Sequence, residues 1–156
     1  STYFGLYAPY QGQHHMSLRQ SSYDIWLNFM NQDDNYRDVR INYYFKGPVV
    51  GLLLDVAIRE KTAQRQSLDD VMRLLYRRYY HELKRGFTEG EFWQAVTEVA
   101  GTSLSEIRRL VDTTEEPDYD RLLAPAGLCI DKANWMIRCV ENPDASQLAF
   151  QKSMGL

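Results

Sequence analysis

Leu68, Met72, Leu75, Tyr79 and Leu83 recur at steps of three and four residues, which places them on one face of a helix spanning about 67–84 and ending near Gly86. The start of that helix is marked by Ser67 with Asp70 three residues on, the pairing of a capping box. Thr88 with Glu91 and Ser103 with Glu106 repeat it. Behind the second box Phe92, Val96 and Val99 continue the helical spacing until Gly101, and behind the third a helix covers roughly Leu104 to Val111. A short helix follows Pro117.

Upstream, SSYDIWLNFMNQ reads as another amphipathic helix with Tyr23, Trp26, Leu27 and Met30 on one side, followed by a polar loop, DDNYRDVRI. The segment 48–60 is apolar nearly all round, as expected of a helix at the centre of a bundle. Gly47 and Pro48 are the residues expected where the chain turns sharply into its first helical turn. Strand signals are confined to the last 30 or so residues, where GLCID and WMIRCVE could pair as a β-hairpin, and SQLAFQKSMGL carries no clear pattern. The sequence therefore predicts an all-α helical bundle with a short hairpin near its C-terminus, without internal repeats.

Length and charge narrow the function. A chain of 156 residues suits one domain that buries a core without staples. With 18 basic against 21 acidic residues, a net charge of −3 argues against nucleic acid as the main partner. The longest apolar run, Pro48 to Leu54, is too short to span a bilayer, and Ser1 opens directly into TYFGLYAPY without the pattern of a targeting signal. Cys129 and Cys139 lack metal-site spacing; across a hairpin they could face each other as a disulfide or remain two buried thiols.

Several kinds of chemistry lack their motifs. There is no HExxH, and adjacent His14 and His15 cannot put two imidazoles on one helical face; they could still contribute one ligand, but the favoured reading is a solvated loop, and the third histidine is His81. No glycine-rich phosphate loop or GxSxG elbow occurs. RLLYRRYYHELKRG mixes arginine with tyrosine, but the reading it favours is an amphipathic helix with packed tyrosines and solvated cations. Asp55, on an otherwise apolar helix, calls for an ion pair or a cap on a neighbouring helix. Tyr43 and Tyr44 stand at the mouth of that helix. A phenol is neutral at pH 7 and can donate to an oxyanion, although packing alone would also account for two tyrosines there.

YYFKGPVVGLLLDVAIREKT, QSLDDVMRLLYRRYY, GFTEGEFWQAVTEVAGTSLSEI and VDTTEEPDYDRLLAPAGL, in this order and spacing, resemble the C-terminal half of the catalytic domain of the glycyl aminopeptidase family of zinc metallopeptidases, of the thermolysin-like gluzincin clan. The likeness covers about residues 17–130. It departs from the family in the short LYAPYQGQHHM segment and in Thr113, where a glycine is usual. The Y-x-K-G element, Tyr44-Phe45-Lys46-Gly47, is similar to one whose tyrosine stabilises the tetrahedral intermediate in larger aminopeptidases of the clan. The resemblance thus implies Tyr44 as catalytic residue with Lys46 and Gly47 supporting the motif. It also implies zinc in the full-length protein, held by two histidines and a glutamate. STYFG at residues 1–5 resembles the piece of chain just after that glutamate in the family, so the metal site is expected wholly upstream, with no zinc on this chain.

On these grounds residues 1–127 are expected to form a helical subdomain like the C-terminal one of thermolysin-like peptidases, and 128–156 an extension. The partners expected are the missing N-terminal half of the catalytic domain and, in the full-length protein, a peptide with a small N-terminal residue. Alone the chain should be inactive. The alternative is a non-enzymatic helical scaffold or degenerate relative that binds a protein partner through an exposed apolar face.

Overall fold

The computed structural model describes residues 2–6, 8–30 and 35–156. It is mostly helical with one two-stranded antiparallel hairpin, and it divides into two units, residues 1–53 with 106–156, and residues 54–105. The division falls within the longest helix.

The first unit opens with α1 (Thr2–Gly5), a 3₁₀ turn (Gln11–His14), α2 (Leu18–Tyr23), α3 (Ile25–Met30) and α4 (Tyr36–Val39). The segment SSYDIWLNFMNQ is thus not one helix: α2 closes at Asp24, whose N–H returns to the Gln20 carbonyl. Its expected core stripe is also wrong, because Tyr23, Trp26, Leu27 and Met30 are all exposed. Buried Leu18 and polar contacts anchor the region. Ser17 caps α2 by accepting from the Gln20 N–H, and the buried Ser21 hydroxyl donates to the Ile41 carbonyl at 2.7 Å. Within DDNYRDVRI, expected as loop, Tyr36–Val39 is a helical turn, whereas residues 31–34 lie outside the described residues. Gly12 lets the Arg40 backbone approach so closely that a Cβ would sit 2.0 Å from its carbonyl oxygen.

The rest of this unit comprises the first part of α5 (Tyr43–Lys61), α8 (Ser105–Asp112), α9 (Tyr119–Leu123), β1 (Leu128–Asp131), β2 (Met136–Cys139) and α10 (Ala145–Met154). Phe4, Ala8 and Val49 form a core with Phe45, Tyr119, Ile130 and Ile137 against it, and the Phe4 ring meets Tyr119 edge-on at 4.9 Å. The expected hairpin is present, but its register sets Leu128 opposite Cys139 and Cys129 opposite Arg138. An offset of one residue puts the two cysteines on opposite faces of the ribbon, and both are free thiols. The C-terminal segment without a clear pattern is helix α10. Asp144 and Gln147 close a capping box at its start, and Gln151 donates to the Gly127 carbonyl at 3.0 Å.

The second unit holds the end of α5, α6 (Leu68–Leu75), a π-helical segment Tyr76–Glu82 that continues it, and α7 (Glu89–Ala100). Of the three predicted capping boxes, two form, at Ser67 and at Thr88. Ser67 donates its N–H to the Asp70 carboxylate at 2.8 Å, and Thr88 does the same to Glu91 at 2.7 Å. Asp55 has the partners it called for: it accepts from Arg59 Nε and from the Leu68 N–H at the start of α6, each at 2.8 Å. Gly101, left-handed at φ 71°, ends α7. The buried residues are Val71, Leu74 and Leu75 of α6 and Tyr79 of the π-helical segment, whereas Met72 and Leu83 of the predicted stripe face solvent. In the first unit, α8 starts one residue later than expected, and Glu106 accepts from Arg121.

Candidate functional site

Tyr44, Lys46 and Gly47 share the first turns of α5, and the structure starts that helix earlier than Gly47-Pro48 suggested. Asn42 is the reason. Its side-chain oxygen accepts from the Tyr44 N–H at 2.9 Å and its carbonyl from the Phe45 N–H at 2.9 Å, which satisfies two orphan donors and nucleates the helix at Tyr43. Asn42 stands directly before the tyrosines in the sequence and is a preferred cap residue, a signal that the glycine and proline overshadow. Pro48 consequently lies inside the helix. It has no N–H to offer the carbonyl one turn back, that of Tyr44.

The Tyr44 side chain is 61% exposed, and its ring stacks on Tyr43 with centroids 4.3 Å apart. The neighbouring Tyr44 phenol, with a smaller contribution from burial, pushes Tyr43 above its ordinary value. Tyr43 is therefore a neutral phenol at physiological pH. Gly47, three residues on and hence on the same side as Tyr44, would place a Cβ in open space, as would Gly51 one turn further. Glycine is thus not a packing requirement at either position. Its effect is to leave a bare strip of helix backbone beside an exposed phenol, which a ligand backbone can approach closely.

Lys46 points the other way and is only 3% exposed. Burial pushes its ammonium below the ordinary lysine value, and the Glu116 carboxylate pulls it partly back. No carboxylate of the described residues pairs with it within 4 Å. Lys46 is thus an inward-facing residue of this turn, whereas Tyr44 faces out. Glu116, distant in sequence, could not be associated with this site from spacing.

The other candidates do not join it. His14 and His15 are exposed near α2, and His81 lies in the second unit. Among the described residues no group of three or more His, Cys, Asp or Glu side chains could hold a metal ion, so these residues do not fit a zinc centre. No described helix is long and apolar enough to cross a membrane.

Comparison with protein families finds a similarity to the M61 glycyl aminopeptidase family over residues 4–50. The matched stretch runs from α1 into α5 and includes Tyr44, Lys46 and Gly47. No curated protein and no solved structure matches the chain.

Proposed function

We propose that this chain is part of a glycyl-aminopeptidase-like zinc metallopeptidase of the thermolysin-like clan, to which it contributes the oxyanion-stabilising tyrosine, Tyr44. The observation that carries the reading is that the stretch similar to M61 glycyl aminopeptidases contains a Y-x-K-G element whose tyrosine is exposed beside bare helix backbone. Residues 1–127 would form the helical subdomain and 128–156 its extension.

When a water attacks the scissile carbonyl, the carbonyl oxygen gains negative charge. The Tyr44 hydroxyl, a neutral donor rooted on α5, would donate to that oxygen and stabilise the transition state more than the ground state. Tyr43 limits the rotation of the Tyr44 ring by stacking on it, and Lys46 fixes the same turn from within. Gly47 and Gly51 leave room for the substrate backbone. Zinc, which activates water in such enzymes, would be held by residues outside this chain, supplied by the N-terminal half of the catalytic domain. The substrate would be a peptide with a small N-terminal residue, and the chain alone would not cleave it.

The test uses the complete translated product of the reading frame. Elemental analysis should find about one zinc per chain, and Tyr44→Phe should lower kcat on Gly- and Ala-p-nitroanilide about 100-fold, as the loss of one oxyanion donor does elsewhere. Unchanged kcat would make Tyr44 a packing residue. Absence of zinc after reconstitution would favour a second reading, a non-enzymatic scaffold. The exposed Tyr23, Trp26, Leu27 and Met30 of α2 and α3 support that reading, since they are surface fit for a protein partner.

A further inference from the structure

The second unit contains a cavity of about 530 Å³ that the proposed peptidase chemistry does not use. Its walls are Met72, Tyr76, Tyr79, Tyr80 and Phe87, with Lys84 and Arg85 at the rim. It is an open cleft whose volume falls in the range of ligand-binding sites. It exists because α6 turns Val71, Leu74 and Leu75 into the core and leaves Met72 outside, after which the π-helical turns carry Tyr76 and Tyr80 to the surface, stacked at 5.1 Å. π-turns cost regular hydrogen bonding and recur at functional sites.

Two further features shape the rim. Lys84 adopts a left-handed conformation, φ 53°, which is strained for a residue with a Cβ. That turn brings the Arg85 N–H back to the Tyr79 carbonyl at 3.0 Å and sets the Arg85 guanidinium 5.0 Å from the centre of the Tyr79 ring. Arg85 is held by Glu91, whereas Lys84 forms no ion pair among the described residues. No carboxylate lines the cavity. An apolar, aromatic cavity with an unneutralised cation at its edge is complementary to an apolar group that carries a negative charge next to it.

We propose that this cavity is a docking site for a peptide segment of a protein partner, which inserts an aromatic or leucine side chain among Met72, Tyr76, Tyr80 and Phe87 and presents an adjacent Asp or Glu to Lys84. Tyrosine and arginine are the residue types that dominate such contacts, and the two exposed tyrosines cost little side-chain entropy on binding because they already brace each other.

The test selects a random 12-residue peptide library displayed on phage against the 156-residue chain. The best peptide is then titrated by fluorescence polarisation against wild type, Tyr80→Ala and Lys84→Glu, with Lys152→Glu on α10 as control. Enriched peptides should share an aromatic or leucine residue next to an acidic one. Binding should weaken at least about tenfold in both cavity variants, not in the control, and the Lys84→Glu loss should be recovered when the peptide's acidic residue is changed to lysine. Both substituted side chains are at the surface, so far-UV circular dichroism melts should superimpose on wild type. The proposal is overturned if no peptide is enriched, or if the enriched peptide is indifferent to both substitutions. It is equally overturned if oligouridylate RNA binds more tightly than the peptide and competes with it, which would assign the cavity to nucleic acid.

Discussion

Removing the Asp55 carboxylate tests how two helices of the second unit are joined. Asp55 sits on α5 with its side chain 17% exposed. It accepts from Arg59 one turn later and from the Leu68 N–H, one of the orphan donors at the N-terminus of α6. A hydrogen bond to a charged acceptor contributes about 1.5–3 kcal/mol, and the half-buried i,i+4 pair with Arg59 about 0.5–1 kcal/mol. Asp55→Ala should therefore cost about 2–4 kcal/mol. Asp55→Asn retains an acceptor for Leu68 but loses the charge and should cost about half as much. The assay is urea unfolding followed by the fluorescence of Trp93, which lies in this unit, in a background carrying Trp26→Phe and Trp135→Phe so that it reports alone. The midpoint should fall with an unchanged slope. An Asp55→Ala cost below about 1 kcal/mol, or an Asn variant as damaged as the Ala one, would show that packing and not this carboxylate joins α5 to α6.

Three further outcomes are expected. Glu91 is held down to about 2, first by its bond with Arg85 and then by the Thr88 N–H, so its stabilisation is complete above the unfolded value near 4.5 and disappears as pH falls through about 2. Glu91→Gln should flatten the acid limb of the stability profile in that window, and a carbon-detected NMR titration of Glu91 should give a midpoint near 2. Lys46 is buried without a paired carboxylate and its value is lowered, so wild-type stability should rise with pH as the ordinary lysine value is approached. Lys46→Met should raise the urea midpoint, for a gain in unfolding free energy of about 1 kcal/mol or more, and remove that rise. Cys139 is exposed and Cys129 only partly so, on opposite faces of the hairpin. Iodoacetamide without reductant should label Cys139 first and eventually both thiols, and a mass spectrum showing neither labelled would contradict the register.

Elements whose signals are local can be read from the chain before it folds. Ser67 with Asp70 and Thr88 with Glu91 announce helix starts because the groups that close each box lie three residues apart, and Gly101 ends α7 for the equally local reason that it tolerates a left-handed backbone. Asp144 with Gln147 carries the same message for α10, masked by a weak apolar pattern. The tyrosine, lysine and glycine of the candidate site are legible as a motif. Which way each side chain faces is settled by packing between elements. Periodicity reports that apolar residues share a helix face but not that anything covers it, so Tyr23, Trp26, Leu27 and Met30 read as core and yet stand in solvent. Met72 faces out for a related reason. The choice between two nearly equivalent apolar faces of α6 is made by what packs against it, and the π-helical turns after it then shift the register of every tyrosine beyond. Pairings such as Glu116 acting on Lys46, or Gln151 on Gly127, bring together residues far apart along the chain, and that proximity is a property of the folded chain alone.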